Sequence, residues 1–120
     1  MTVEADIVTA LRTVCPRVSP DVAPIGTTRP YITWQFIGGR PMRYLAGDAA
    51  NKRHTLLQVN VWSSSRAEAL TLIRQVEDVL CDPARVFLAQ PEAEPINDVT
   101  EDMEPALYGS MHDFSIVSDR

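Results

Sequence analysis

Two cysteines and two histidines are the residues of this sequence that most often bind metals. Cys15, His54, Cys81 and His112 are isolated from one another along the chain. A zinc site needs three or four ligands that converge on one point, and recognisable sites contain close pairs such as Cys-x-x-Cys. The spacing therefore indicates structural roles for all four residues, and we expect neither a metal nor another cofactor.

Ser63-Ser64-Ser65 and Gly38-Gly39 are the other short motifs that could take part in chemistry. A hydrolase serine sits in a Gly-x-Ser-x-Gly turn, and a phosphate-binding loop combines spaced glycines with a following Lys-Ser/Thr. Neither pattern surrounds these residues. Ser65-Arg66-Ala67-Glu68 instead has the form of a capping box, in which serine and glutamate satisfy free amides at the start of a helix. We therefore expect a protein that is not an enzyme.

The formal net charge is −5, which argues against general nucleic-acid binding because such proteins usually present a basic face. The charges are nevertheless unevenly distributed. One stretch, called the basic segment below, contains a single acid and four basic residues: Arg40, Arg43, Lys52 and Arg53. Another, called the acidic segment, contains no basic residue and six acids: Glu92, Glu94, Asp98, Glu101, Asp102 and Glu104.

The acidic segment has the carboxylates that calcium prefers as ligands. However, it lacks EF-hand spacing, and Pro91, Pro95 and Pro105 interrupt it. We interpret it as a solvated loop or an interface with a partner. The basic segment is a modest patch in an acidic protein, so we expect protein contacts there and no specific nucleic-acid binding.

The sequence begins Met1-Thr2-Val3-Glu4, without the basic region and apolar stretch of a secretion signal. We therefore expect reduced thiols in a protein made in the cytoplasm. Apolar runs fall short of the roughly 20 residues that a membrane-spanning helix requires, so no membrane association is expected.

The stretch from His54 to Asp82 predicts the central folding unit. Leu57, Val59 and Val61 alternate with polar residues, which is typical of a strand with one apolar side. Apolar residues then recur at helical spacing after the capping box: Ala69, Leu72, Ile73, Val76, Val79 and Leu80. Cys81-Asp82-Pro83 ends this helix, because proline cannot continue it.

The N-terminal region predicts a helix followed by an irregular connection. The apolar stripe of the helix starts at Val3 and ends at Val14, Thr2 can cap its start, and Cys15-Pro16 ends it. Residues 16 to 30 contain four prolines and are expected to run irregularly over the surface.

Tyr31 to Ile37 predicts a strand with Ile32, Trp34 and Phe36 on one face. We expect a bend at Gly38-Gly39, renewed extended structure from Arg40 to Leu45, a loop tip at 46–51 and a return through Lys52. The result would be a projecting antiparallel hairpin.

The C-terminal third predicts three further extended stretches: Val86 to Ala89, an edge pairing at Ile96–Thr100, and a last strand from Leu107 to Val117. In the last strand, one face would carry Tyr108, Ser110, His112, Phe114 and Ile116.

Together these elements predict one α+β domain over residues 1–120, with the order α-β-β-α-β-β and both helices on one face of an antiparallel (mixed) sheet. Two classes of function suit such a fold. One is a structural protein. The other is a small-molecule-binding or catalytic domain with a pocket between sheet and helices.

The order of the segments resembles the small tail-completion, or tail-terminator, proteins of long-tailed phages and prophages. The matching pieces cover nearly the whole chain: the helix of the Val3-to-Val14 kind, Arg29 to Gln35, Leu57 to Trp62, Ala67 to Ala69, Leu107-Tyr108 and Asp113 to Ile116. Ser110 and His112 depart from the aliphatic residues that are usual there, and the connection from Pro16 to Pro30 is somewhat long.

This resemblance implies a structural protein of the virion, made in the bacterial cytoplasm and monomeric in solution. It would form a ring of six copies on the upper end of the tail tube, stop tube growth and join the head connector. Its partners would be other copies of itself, the tail tube protein and the connector protein. We further hypothesise that the basic segment of one subunit contacts the acidic segment of the next.

Overall fold

Two helices cover one face of a six-stranded sheet in the computed structural model, which describes residues 2–40, 52–100 and 105–119. The elements, in chain order, are α1 (Val3–Arg12), β1 (Val18–Pro20), β2 (Tyr31–Gly38), β3 (Lys52–Ser63), α2 (Arg66–Leu80), β4 (Leu88–Pro91), β5 (Ile96–Thr100) and β6 (Leu107–Asp119). The predicted α+β class and the approximate order of elements are confirmed.

The sheet is mixed, and β3 lies at its centre. The strand order is β1-β2-β3-β6-β4, and β5 also pairs with β6. β4 and β5 follow one another along the side of β6 that faces away from β3, because Leu88 is level with Val117 and Thr100 with Leu107. β1 and β2 are parallel, whereas the other pairs are antiparallel.

The apolar face of β3 forms the floor of the core, as the alternation predicts. Leu57, Val59 and Val61 are completely buried. Ile32 on β2 and Phe114 on β6 extend the same layer, and both are fully buried as well. The helices contribute the residues that cover this floor: Val3, Ile7, Ala10 and Leu11 from α1, and Ile73, Val76 and Leu80 from α2.

The structure differs from the prediction at three places. The first is the connection from Pro16 to Pro30, which was predicted to be irregular but contains β1, where Val18 pairs with Ile32. Arg17 donates from Nε to the carbonyl oxygens of Thr28 and Pro30, both at 2.9 Å, which ties this proline-rich stretch to the sheet.

The fourth strand begins at Leu88 instead of Val86. Phe87 is buried but precedes the strand. Its apolar side chain therefore led to a predicted strand start that is too early. The last strand continues past Val117 because its end pairs with Lys52 and Arg53 of β3. Pro41 to Leu45 and the predicted loop tip at 46–51 lie outside the described residues.

Both helix caps form, although the second differs from a standard capping box. Thr2 Oγ1 accepts from the Ala5 amide at 3.2 Å, and Ser65 Oγ accepts from the Glu68 amide at 3.4 Å. The Glu68 carboxylate does not return to the Ser65 amide. It accepts from the Ser63 hydroxyl, and Ser63 Oγ in turn accepts from the Ser65 amide at 3.1 Å.

His54 fastens the base of the β2–β3 hairpin. The Arg40 amide donates to His54 Nδ1 at 3.0 Å, so in the neutral ring Nε2 carries the proton and donates to Ser115 Oγ at 2.6 Å. The backbone also passes closely here, since a Cβ on Gly39 would lie 2.4 Å from the His54 carbonyl oxygen. His54, on β3, therefore links the chain just after β2 to β6.

Ile73→Ala should lower the free energy of unfolding by about 2–5 kcal/mol, because it removes a fully buried side chain from the centre of the core. Leu72→Ala is the matched control and should cost less, since Leu72 is only partly buried at the border. Denaturant unfolding of both variants measures the difference. Equal losses would mean that the core face of α2 is assigned wrongly.

His54→Leu should increase the hydrogen-exchange rate of the Arg40 amide several-fold, because this amide loses its acceptor. Ser115→Ala removes the partner of Nε2 but leaves the Arg40 acceptor in place, so the amide should keep most of its protection. Exchange followed by NMR distinguishes the two variants. Unchanged exchange in His54→Leu would show that the imidazole does not hold the base of the hairpin.

Candidate functional site

The sheet face opposite the helices is the open face, because no helix among the described residues covers it. Residues from neighbouring strands are level with one another in rows. One row contains Tyr31, Trp62 and Gly109, and the next contains Thr33, Asn60 and Met111. This face therefore combines aromatic, apolar and polar side chains, most of them half-buried or exposed.

A groove of about 340 Å³ lies at one end of this face and is called the open-face groove. β2 and β3 provide its floor, whereas the chain after β1 and the ends of β5 and β6 form its walls. The lining residues are Asp21, Val22 and Ala23 on one wall, Tyr31, Thr33, Gln35, Asn60 and Trp62 on the floor, and Thr100 and Leu107 on the other wall.

Trp62 is fixed in this groove by two contacts. Its ring lies on Gly109, where an added Cβ would come within 2.6 Å of ring atom Cζ3. Its Nε1 donates to Thr33 Oγ1 at 3.3 Å. Because these two contacts fix the orientation of the indole, its ring presents a preformed apolar surface.

Asn60 has an incompletely satisfied side chain in the same groove. Its Nδ2 donates to Thr33 Oγ1 at 3.4 Å, but its Oδ1 is buried without a hydrogen-bond partner among the described residues. Exchanging the amide oxygen and nitrogen would only transfer the deficit to the nitrogen. Buried polar groups of proteins are nearly always paired, so this atom is an exception, and Trp34 Nε1, His112 Nδ1 and Ser118 Oγ likewise lack partners among the described residues.

The described part of the basic segment lies at the hairpin end of the sheet. Arg40, Lys52 and Arg53 are exposed, and Lys52 forms an ion pair with Asp119 at the end of β6. The predicted contact residue Arg43 lies outside the described residues.

The described part of the acidic segment lies on the outer edge beyond β6. Glu92, Glu94 and Asp98 are exposed, and Glu92 and Glu94 line a cavity of about 360 Å³ together with Glu77. Glu101, Asp102 and Glu104 lie outside the described residues. Where both segments are described, no ion pair joins one to the other within the chain.

The histidines and cysteines do not converge. His112 is buried, and its Nε2 lies 2.8 Å from Glu77 Oε1, while its ring packs against Phe114 at 4.4 Å between centroids. No group of three metal-binding side chains occurs within the described ranges. Nor does a helix in those ranges have the length and apolar character needed to cross a membrane.

Both cysteines are free thiols. Cys15 is buried and donates from Sγ to the Pro30 carbonyl oxygen at 3.4 Å. Burial raises the pKa of the Cys81 thiol, and the nearby charges of Glu77 and Asp78 add to this increase. A raised pKa keeps Cys81 in its less reactive protonated form at neutral pH.

Sequence reasoning identified the charged segments but missed the open-face groove. Its walls come from Asp21–Ala23, Thr100 and Leu107, which are far apart in the sequence. The only local signal was Trp62, a large aromatic residue on the polar side of β3. The predicted alternative, a ligand pocket between sheet and helices, meets a core there whose central side chains are fully buried.

Comparison with curated proteins gave no match. Among protein families, the one described as Tail completion protein gp17 matches residues 4–119, nearly the whole chain. This extent includes α2, all of α1 except its first residue, and every strand of the described sheet. The chain therefore belongs to the tail completion protein gp17 family and is a structural component of a phage tail.

Proposed function

We propose that the protein caps the tail tube as a ring of six copies, stops tube growth and forms the joint to the head connector. The family match over residues 4–119 is the observation that carries this proposal. The partners would be the tail tube protein below the ring and the connector protein above it. Copies would be made in the bacterial cytoplasm, remain monomeric in solution and assemble on the tube end.

The two charged segments support a ring contact. A ring is built from heterologous contacts, in which one patch of each subunit meets a different patch of its neighbour. Lys52 is level with Asp119, whereas the Glu92 amide donates to the carbonyl of Asp113. These levels are roughly 20 Å apart along β6. The segments are therefore too far apart to neutralise each other at these residues within one chain.

Opposite charges on separated patches suit the assembly of identical subunits. Complementary potentials guide association and fix the relative orientation of the partners. In isolated monomers both patches remain in water, where their mutual attraction is weak beyond the screening length of about 8 Å at physiological salt. We propose that the basic segment of one subunit meets the acidic segment of the next only when the tube end holds them side by side.

DNA must pass through such a ring without being held tightly. The chain has 16 acidic and 11 basic residues, and an acidic ring would not retain phosphates. We therefore assign the basic segment to protein contacts, and we propose neither specific nucleic-acid binding nor catalysis.

The isolated protein should sediment as a monomer at low micromolar concentration. A cap that formed closed rings away from the tube would not recognise tube ends efficiently. Sedimentation velocity over a concentration series measures this. A tight dimer with a large apolar interface would contradict the proposal.

Arg43→Glu combined with Arg53→Glu should abolish capping while leaving the monomer folded, because Arg53 is exposed and Arg43 is predicted to lie off the core. Tail lengths measured by electron microscopy would then exceed the normal length. Glu101→Lys with Asp102→Lys should partly restore capping by the arginine variant, since the charges of the contact are exchanged.

Arg74→Glu is the matched control, because Arg74 is an exposed arginine on α2 that belongs to neither segment. It should leave tail length normal. If the double arginine variant also produced tails of normal length at low and physiological salt, the basic segment would not be part of the ring contact.

A further inference from the structure

The sheet ends in two edges that have no further strand beside them among the described residues. β1 forms one edge, and β4 and β5 form the other. An edge strand presents backbone amides and carbonyls that can pair with another chain. The hydrogen bonds on the paired side of each edge strand determine which groups point outwards.

On β1, the backbone of Val18 points away from the sheet. The Arg17 carbonyl accepts from the Ile32 amide at 2.9 Å. The Asp21 amide donates to the Trp34 carbonyl at 2.8 Å. Backbone groups of successive strand residues point to opposite sides, so the odd-numbered residues face β2 and Val18 faces outwards.

On β5, the backbone of Asn97 points away from the sheet in the same way. The Glu92 amide donates to the Asp113 carbonyl at 2.9 Å, so the odd-numbered residues of β6 face this side. The register pairs Asp98 with Gly109, which directs the backbone groups of Asp98 to β6 and those of Asn97 outwards.

Val18 and Asn97 lie in one row across the sheet. The register connects them through Ile32, Val61 and Ser110. β1 and β5 run in opposite directions, because β1 is parallel to β2 and the three following steps to β5 are antiparallel. A copy rotated about an axis along the strands would therefore bring its Val18 opposite Asn97 of its neighbour as an antiparallel pair.

We propose that β1 of one copy pairs with β5 of the next, with Val18 and Asn97 as a hydrogen-bonded pair. This inference rests on the proposed ring, and it joins the sheets of neighbouring copies edge to edge. The contact is heterologous, as a ring requires, because the two edges are different parts of the chain.

Side-chain charge favours this register, which brings Arg17 opposite Asp98. Val18 packs against the core, so Arg17 belongs to the open face. Asp98 belongs to the same face, because it is level with Gly109 and Trp62. Opposite charges at facing positions of two strands stabilise their pairing. Arg17 Nε is bonded within its own chain, but a guanidinium has further N–H groups.

The composition of the two edges also suits a contact between them. Residues 12–30 contain three arginines and one acid, whereas residues 90–100 contain three acids and no basic residue. Exposed apolar side chains adjoin both edges, since Val22 is 79% exposed after β1 and Ile96 is 63% exposed at the start of β5. Burial of such side chains between copies would add to the strand pairing.

Prolines limit this pairing to its centre. In the proposed register Pro20 lies opposite Pro95, and neither has an amide N–H to donate. At the other end Pro16 also lacks the N–H, and the Val99 amide is already bonded to the Asp98 carboxylate at 2.8 Å. A contact with one complete pair of backbone hydrogen bonds is weak alone, which suits copies that stay apart in solution.

Cysteine cross-linking between two differently tagged copies, assembled into tails and oxidised, tests the register. Ser19→Cys in one copy is combined with Ile96→Cys in the other. These residues would face each other as a non-hydrogen-bonded pair with Cα atoms about 4.5 Å apart, which a disulfide can span. Leu88→Cys replaces Ile96→Cys in the matched control, because Leu88 is also 63% exposed beside β6 but lies roughly 20 Å away along that strand. Cys81→Ser in both copies removes the partly exposed native thiol.

The expected result is a mixed-tag dimer with Ile96→Cys in several-fold excess over that with Leu88→Cys, in tails of normal length. Equal yields, an excess with Leu88→Cys, or no mixed dimer in tails of normal length would overturn the edge pairing and leave the ring proposal intact. Tails that reach normal length without the protein would instead contradict the ring proposal itself.

Hydrogen exchange of the unsubstituted protein, free and in assembled tails, gives a second test that does not depend on the variants. The Val18 and Asn97 amides should exchange several-fold more slowly after assembly. The Ala89 amide, which faces the outer side of β4, is the internal control and should change little. Unchanged exchange at Val18 and Asn97 would overturn the pairing even if a cysteine variant failed to assemble.

Discussion

The alternation of side chains along β3 is the constraint on which the rest of this structure depends. Leu57, Val59 and Val61 are buried on one face, whereas Asn60 and Trp62 belong to the other. β2 and β6 pair with β3 in registers that bring their own apolar residues onto the same side. A shift of one residue would expose this entire set. The same register therefore determines both the helix-covered core and the open face.

Sequence reasoning succeeded where the signal is local and failed where it is not. The helices and β3 could be predicted because periodicity and capping residues lie within a short window. β1 was missed because its three residues, Val18 to Pro20, lie in a proline-rich stretch and become a strand only by pairing with β2. The charged segments could be recognised from the sequence because each is a short run of residues with charges of one sign. The groove was not, because Ala23, Trp62 and Thr100 meet only after the sheet has formed.

A tube cap of the proposed kind must assemble at one place only. Exposed charge pairs contribute little in water, which is consistent with a monomeric free protein. At a tube end, several weak contacts act together because each bound subunit raises the effective concentration of the next contact. Contacts between subunits that are weak one by one, but strong when several form together, would restrict ring formation to the tube end.

The length distribution of tails assembled without the protein tests the central claim, tube capping, most directly. Tubes formed in an otherwise complete assembly reaction should exceed the normal length and lack attached heads, and adding the purified protein should restore both. Electron microscopy measures length and head attachment on the same particles. Tubes of normal length that attach heads in the absence of the protein would contradict the account.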